Sequence, residues 1–404
     1  MDDTFDFTDP TRIDCLVCHD TTGTYKKWLG GMPKEDVDLL KVAQNIGHTS
    51  RQTCGSCHFS GGGGDAVKHA DLSKTLNWPD RRCDVHMGGY DFCCSECHET
   101  RNHKIPGRSS SVAVVEGVKQ CETCHTEAPH YGDDLLDHHL NKHCESIGCN
   151  TCHSPVYSKC TPTKVFWDWS KAGDKSRKPK TGKYGESDYN WKKGEFEWKE
   201  AAKPTYAWHN GYWNRILVGD KVHLDRVNDI TDPMGSIKDP LAKIYPFKIM
   251  RGVQAADAKY KYLLIPHLFG KNGYWETLDW QKAFTIGMKA AGLPYSSEYE
   301  WVRTDMHWAI KHEVMPKEYA LSCVQCHESL TGERTCNRCH QDSKEVDFRE
   351  LVRQGTDFET MYARGRDVKA LIGQTDYIGF RELGYKGDPI IYGGRFKKLP
   401  LGRK

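Results

Sequence analysis

The clearest shortage in this 404-residue sequence is of apolar residues. Only 38% of the residues are hydrophobic and the mean hydropathy is −0.71, which is low for a chain of this length. No run approaches 18 apolar residues, so the sequence predicts no membrane-spanning helix. A chain this poor in aliphatic side chains needs another source of apolar bulk for its interior.

A dominant charge and an export signal are also lacking. Lys and Arg number 57 against 55 Asp and Glu, so the formal net charge is only +2 and a nucleic-acid-binding role has no support. The start, Met1 to Phe5, has no cationic segment leading into an apolar one, as a signal peptide would. We expect the numbering to begin in a processed or truncated chain.

Cysteine and histidine, by contrast, are abundant, with 18 Cys and 20 His. The pentapeptide Cys-x-x-Cys-His occurs seven times, and it is the attachment site of a c-type haem. Its two cysteines form thioethers to the porphyrin, and its histidine becomes the proximal iron ligand. The sets are Cys15, Cys18, His19; Cys54, Cys57, His58; Cys94, Cys97, His98; Cys121, Cys124, His125; Cys149, Cys152, His153; Cys323, Cys326, His327; and Cys336, Cys339, His340.

Zinc knuckles and redox-active dithiols are the alternatives for any single Cys-x-x-Cys pair. Neither needs a histidine directly after the second cysteine, which every copy here has. The sequence therefore predicts a multihaem cytochrome c with seven haems c. Porphyrin rings would supply the missing apolar bulk, so we expect mostly short α-helices and long loops wrapped around a chain of closely packed haems, with little β-structure.

Three regions follow from the spacing of the motifs. Residues 1–160 form a haem-rich region with five motifs, and residues 316–404 form a C-terminal region with two. Residues 161–315 carry none and are rich in Trp, Tyr and Lys. Aromatic residues there could bind sugar or nucleic acid, but we favour packing over haem faces, together with the supply of distal ligands.

Helical spacing of apolar residues is readable in three places. The pattern predicts helices over Lys34–Ile46, Leu278–Ala291 and Asp347–Gly365. Haem c is attached outside the cytoplasm, so we expect a periplasmic or extracellular protein.

Thirteen histidines remain outside the motifs, enough to give every haem a second imidazole ligand. His103 follows the motif residue His98 by five residues, and His130 follows His125 by five. Five residues turn a helix by about 500°, so the two imidazoles of such a pair would serve different haems. Met87 is an alternative ligand that the histidine supply disfavours. The favoured distal ligands are His69, His86, His103, His130, His139, His143 and His312.

Four cysteines lie outside the motifs: Cys83, Cys93, Cys144 and Cys160. In an oxidising compartment an even remainder indicates disulfides. By position, Cys144 could pair with Cys160, and Cys83 with Cys93. The alternative is an eighth haem on a nonstandard cysteine pair.

Longer segments resemble the octahaem tetrathionate reductase family of c-type cytochromes, and they run nearly from end to end. The matching segments are Asp14–Tyr25, Cys54–His69, Asp84–Met87, Pro162–Lys164 with Trp167–Trp169, Pro266–Gly270 and Gly384–Pro389.

The resemblance implies a candidate catalytic pair. In that family one haem is catalytic, and its iron takes a lysine that lies three residues after an aspartate and follows a glycine run. The corresponding residues here are Lys68 and Asp65. A neutral amine is a weaker, exchangeable ligand, and burial beside ferric iron would lower its pKa. On the alternative reading, Gly61–Gly64 is a flexible turn and Lys68 a solvated cation.

Two departures from the family pattern matter for function. The family carries two further haem motifs ahead of the Asp14–Tyr25 segment, the second of which holds the catalytic haem. The motif Cys336–His340 lies in an added segment, roughly 330–375. We therefore favour electron conduction through mainly bis-His haems to redox partner proteins or between copies of the chain. The alternative is a reductase of small sulfur or nitrogen oxyanions such as tetrathionate, nitrite or hydroxylamine.

Overall fold

The computed structural model describes residues 13–28, 31–107, 117–132, 135–327 and 376–395. The motif Cys336–His340 and the predicted helix Asp347–Gly365 lie outside these ranges. Within them, a mixed β-sheet of eight strands forms one part of the molecule, and short helices that carry the motifs form the other. None of the described helices is long and apolar enough to cross a membrane.

The expectation of mostly short α-helices and long loops with little β-structure is wrong. The sheet has the order β2-β3-β1-β7-β8-β6-β5, with β4 paired to β7. It is built from the stretch that carries no motif, where aromatic and β-branched residues favour strands. We had interpreted these aromatic residues as haem cover, but many of them form the core of the sheet. The strands are β1 (Thr163–Asp168), β2 (Tyr189–Asn190), β3 (Gly194–Lys199), β4 (Thr205–His209), β5 (Trp213–Arg215), β6 (Asn228–Pro233), β7 (Lys243–Asp257) and β8 (Tyr299–Ala309).

Strand β7 organises the sheet, since it pairs with three others. It runs antiparallel to β8 along 11 residue pairs, from Phe247 opposite Ala309 to Asp257 opposite Tyr299. It pairs in parallel with β1 and antiparallel with β4. One buried cluster on this frame contains Val67, Trp167, Phe196, Met250 and Trp308. The segment that contains Lys68 is thereby packed against the sheet.

The helix predicted over Leu278–Ala291 is present as α8, Trp280–Ala290. The Asp279 side chain caps it by accepting a hydrogen bond from the Lys282 backbone N–H at 3.0 Å. Phe284 and Met288 on one face are buried against β7 and the segment that follows it.

The helix predicted over Lys34–Ile46 is much shorter, since α2 spans only Leu39–Ala43. Asp38 caps its start, and a bridge between Asp20 and Ile46 ends the helical path. Leu40 and Ile46 are exposed, and Val42 is the buried residue of this helix.

The described motifs each form about one turn of helix, which brings the two cysteines of a motif to one side of the turn. In α3, the side chains of Ser50 and Thr53 cap the start of the helix reciprocally. These helices are α1 (Cys15–His19), α3 (Arg51–His58), the 3₁₀ turn Cys94–Glu96, α4 (Cys121–His125), α6 (Cys149–His153) and α9 (Cys323–Cys326). The helices between them that carry no motif include α5 (Leu135–His143) and α7 (Tyr274–Thr277).

Hydrogen bonds join the fifth motif to the sheet. The Gly148 backbone N–H and the Thr151 hydroxyl both donate to the Ile244 carbonyl in β7, at 2.9 Å and 2.8 Å. The backbone N–H of Met315 donates to the His153 carbonyl at 2.8 Å. The sheet thus determines where the last motif of the haem-rich region lies.

Candidate functional site

The motif cysteines lie beside one another in chain order. Cys18 of the first motif lies close enough to Cys54 and Cys57 of the second for the charges of their thiolates to interact. The side chain of Cys54 interacts in turn with that of Cys94 in the third motif.

The same order continues through the remaining described motifs. Cys97 of the third motif is within electrostatic range of Cys124 in the fourth. The side chains of Cys121 and Cys149 interact, which joins the fourth motif to the fifth. Cys152 is within range of Cys323 in α9. In each successive pair of the six described motifs, a cysteine of one therefore lies near a cysteine of the next, and we call this succession, from Cys15 to His327, the motif row.

Four motif histidines each have the ring of a second histidine about 6 Å from their own. A bond of about 2 Å from a metal to each imidazole nitrogen, with about 1.1 Å from nitrogen to ring centre, would put two ligands of one metal about 6.2 Å apart. The residues present therefore fit a bis-His haem c at these positions. The ring-centre distances are 6.2 Å for His19 and His103, 6.4 Å for His98 and His312, 6.0 Å for His125 and His86, and 6.2 Å for His327 and His143.

The ring planes of these four pairs fall into two groups. His98 and His312 are nearly parallel, at 22°, and so are His327 and His143, at 19°. The other two pairs are closer to perpendicular, at 76° and 64°.

Several of these histidines have Nδ1 held by a second group. His19 Nδ1–H donates to the Gly47 carbonyl at 2.8 Å, and His327 Nδ1–H donates to the Asp388 carboxylate at 2.8 Å. Such partners determine the tautomer and leave Nε2 to face a metal. We did not predict Asp388, although it lies in a segment that carries the family resemblance.

His312 is held by a buried carboxylate. Its Nδ1 is 3.3 Å from Asp71, whose side chain also accepts hydrogen bonds from the backbone N–H groups of Lys311 and His312 at 2.6 Å and 2.7 Å. Burial opposes the charge on Asp71, but these donors hold the pKa of Asp71 well below its usual range. Burial also lowers the pKa of His312, yet the contact with Asp71 raises it overall. No sequence signal pointed to Asp71.

The other predicted distal histidines have different surroundings. His130 is within electrostatic range of His153, and its Nδ1 is 3.0 Å from the Asn141 side-chain oxygen. His69 packs edge-on against Trp308 with ring centres 4.5 Å apart. His139 lies edge-on to His138 and within electrostatic range of His143.

His98 and His103 face different partners, His312 and His19. No helix joins them, because the chain makes a 3₁₀ turn at Cys94–Glu96 and His103 has a φ of +62°. The separation of the two imidazoles therefore arises from a turn and not from helical rotation.

Lys68 is sheltered by the glycine run and the sheet. Its Nζ lies 5.6 Å from the centre of the Trp167 ring, and burial lowers the pKa of Lys68. Gly62 has a φ of +81°, and a Cβ there would lie 2.3 Å from Lys68 Cγ. The glycine run therefore packs against Lys68. Asp65 is engaged elsewhere, since its carboxylate accepts a hydrogen bond from the Lys74 backbone N–H at 2.9 Å.

Two further buried lysines surround this segment. Lys248 in β7 is fully buried, and its Nζ donates to the carbonyls of Val67 and Lys68 at 2.9 Å and 2.8 Å and to the Thr163 hydroxyl at 2.6 Å. These bonds hold the two peptide groups that flank Lys68.

Lys164 lies among aromatic rings, with Nζ 3.1 Å from the centre of the Phe196 ring and 4.1 Å from that of Trp167. Burial first, and then the charges of Lys193 and Lys68, lower the pKa of Lys164 to about 7. Its surroundings therefore disfavour the protonated form of the Lys164 amine.

The cysteines outside the motifs are not arranged as predicted. The neighbour of Cys160 is Cys83, and their side chains interact. Cys144 interacts with the motif residue Cys149, and the Cys93 thiol lies 3.6 Å from the Thr49 carbonyl.

Comparisons with known proteins agree with this geometry. Residues 164–330 match the family profile described as bacterial cytochrome c. The chain is similar to the octahaem cytochrome c from Shewanella oneidensis, a crystal structure with 43% sequence identity and a TM-score of 0.74. The match covers 83% of this chain and 76% of the Shewanella chain. The search of curated proteins finds no match.

Proposed function

Because the chain belongs to the octahaem tetrathionate reductase-like family of multihaem c-type cytochromes, we propose that it conducts electrons along a row of covalently bound haems. Family membership gives it haem c and a redox role. The observation that carries the conduction proposal is the unbroken order of the six described motifs, in which each attachment site adjoins the next. Transfer over short gaps needs such contiguity.

We assign the attachment and proximal roles to the motif residues, including the seventh motif Cys336–His340 outside the described ranges. The distal ligands opposite His19, His98, His125 and His327 are the histidines that face them, and His130 serves His153. Haem supplies one-electron chemistry when bound. His69 and His139 remain predicted distal ligands of the haems that have no assigned partner.

Two imidazoles on one iron leave no position for a substrate, which favours electron transfer over catalysis. Gly47, Asp71 and Asp388 hold the imidazoles of His19, His312 and His327 through contacts with Nδ1. We place the protein in the periplasm or outside the cell, because haem c is attached there. Its partners are redox proteins or copies of the same chain.

The conduction proposal can be tested in the middle of the row. His312→Met in the holoprotein should raise one midpoint potential, because a thioether favours the reduced iron. The current carried by a protein layer between two electrodes should fall, because that haem becomes a trap for electrons.

The matched control is His223→Met, since His223 contacts Arg226 and belongs to no motif pair. The wild type, His312→Met and His223→Met must carry the same number of haems for the comparison to hold. An unchanged current and an unchanged redox titration in His312→Met would contradict the proposal.

A second candidate is reduction of small sulfur or nitrogen oxyanions at a lysine-ligated haem. The sheltered Lys68, with a lowered pKa and Lys164 nearby, favours it. The haem for Lys68 would come from another segment or another chain. The test is turnover of tetrathionate, nitrite and hydroxylamine with a reduced dye. Rates that are equal in wild type and Lys68→Ala would exclude this function.

A further inference from the structure

A pair of cysteines outside the haem motifs meets in the interior. Cys83 is almost fully buried in a cluster with Phe59 and Leu76, and the half-buried Cys160 packs against the same cluster. The two side chains interact directly. They are 77 positions apart in the sequence, so the contact depends on the tertiary fold.

The two other non-motif cysteines have other neighbours. The Cys93 thiol lies 3.6 Å from the Thr49 carbonyl, and the Cys144 thiol lies 3.6 Å from the Leu140 carbonyl. All four of these cysteines lie in described ranges, and among them Cys83 and Cys160 are the two whose side chains interact.

The backbone near both cysteines is anchored. The Cys83 backbone N–H donates to the Asp80 carboxylate at 2.7 Å. Beside Cys160, the Lys159 backbone N–H donates to the buried Glu313 carboxylate at 3.3 Å. These bonds fix the backbone that carries the two thiols.

We propose that Cys83 and Cys160 form a disulfide in the mature protein. The bond would tie the segment between the second and third motifs to the segment that enters β1. Three motifs, from Cys94 to His153, lie inside the loop that it closes. This proposal is independent of whether the haem row conducts or reduces a substrate.

The oxidation balances with a protein disulfide of the thiol–disulfide oxidoreductase class as the oxidant. The thiolate of Cys160 attacks that disulfide, and the Cys83 thiolate then attacks the Cys160 sulfur of the mixed disulfide. Two thiols lose two protons and two electrons, and the partner leaves as a dithiol. Cys160 is half-buried whereas Cys83 is almost fully buried, so Cys160 is the more accessible initial nucleophile.

Peptide mapping of the holoprotein tests the bond directly. The protein is denatured in N-ethylmaleimide without reductant, digested and analysed by mass spectrometry. We expect a linked peptide pair that contains Cys83 and Cys160 and separates on reduction, together with alkylated Cys93 and Cys144. Alkylated Cys83 and Cys160, or a link from Cys160 to Cys144, would overturn the proposal.

Thermal unfolding gives a second, independent readout. The wild type should unfold at a lower temperature after reduction, whereas Cys83→Ala/Cys160→Ala should unfold at that lower temperature with or without reductant. The control Cys93→Ala/Cys144→Ala should respond to reductant as the wild type does. A wild type with no response to reductant would contradict the proposal, and if the double variant fails to fold, the peptide map decides.

Discussion

Single hydrogen bonds to the motif histidines set their electron-donating strength. An imidazole that donates Nδ1–H to a carboxylate is a more basic ligand, and it stabilises ferric over ferrous iron. His327 has such a partner in Asp388, whereas His19 has a neutral carbonyl, that of Gly47. Haems with the same ligand set should therefore differ in potential.

Asp388→Asn should raise the midpoint potential of the haem attached at Cys323 and Cys326. The amide keeps an acceptor for the Ile390 backbone N–H but removes the charge from His327. We expect a shift on the order of 60 mV, a factor of ten in a one-electron equilibrium. Spectroelectrochemical titration measures it, with the exposed Asp174→Asn as control. Equal shifts in both variants would refute a specific role for Asp388.

The angles between imidazole planes predict two kinds of ferric signal. Two imidazoles with parallel planes donate to the same π-type iron d orbital, which separates the dxz and dyz orbitals in energy. Two imidazoles with perpendicular planes donate to one orbital each, which leaves dxz and dyz nearly equal in energy. We therefore expect ordinary rhombic low-spin signals from the pairs at His98 and His327, and highly anisotropic low-spin signals from those at His19 and His125. Electron paramagnetic resonance of the oxidised protein checks this, and one uniform rhombic signal would contradict it.

Lys164 should make stability depend on pH in the alkaline range. Its pKa is about 7 in the folded chain, against an ordinary value of 10.5. Between these values the unfolded chain binds a proton that the folded chain does not, so the free energy of unfolding rises with pH and falls towards pH 7.

Relative to Lys164→Met, the wild type should gain up to about 1.4 kcal/mol per pH unit in that window. Denaturant titrations between pH 7 and 10 measure the difference, with Lys178→Met, at an exposed position, as control. Parallel curves for wild type and Lys164→Met would show that the amine stays charged in the fold.

Among the elements, α8 offers the clearest test of packing. Phe284 is buried in the cluster with Ala255, Tyr262 and Met288. Phe284→Ala should lower the free energy of unfolding by about 3–5 kcal/mol through lost burial and a cavity. Lys289→Ala on the exposed face should stay within about 0.5 kcal/mol of the wild type. Denaturant unfolding checks both, and equal losses would mean that the helix does not pack as described.

The comparison of elements shows what the sequence could predict. Helix α8 was predictable because its apolar residues recur at helical spacing and Asp279 caps its start. The sheet was missed because Trp, Tyr and Phe were interpreted as haem cover, although the same residues favour strands. The pairing of β1 with β7 joins residues more than 80 positions apart, which no local pattern reveals.

For the whole molecule, haem c and the redox role were predictable, because the chemistry of attachment requires the fixed Cys-x-x-Cys-His pattern. The order of the sites and the pairs His19–His103 and His98–His312 were not, since they depend on where separate turns meet. Asp71 and Asp388 could not be predicted as partners of the histidines for the same reason.

Removal of haem should affect the two parts of the molecule differently. Between residues 13 and 58, Val17 and Val42 are the described hydrophobic side chains in the core, whereas the sheet has several clusters of its own. In protein made without haem attachment, we expect rapid amide exchange at 13–58 and protection in β7 and β8. Hydrogen-exchange mass spectrometry checks this, and uniform protection or uniform exchange would contradict it.

The pairing of the histidines also bears on how the protein matures. His103 lies 84 positions after His19, and His312 lies 214 positions after His98. A haem attached at Cys94 and Cys97 would therefore lack its second imidazole until the chain beyond β8 has been made and folded. An interrupted chain would leave that iron with an open coordination position in the middle of the row, so complete synthesis is a condition for uniform ligation.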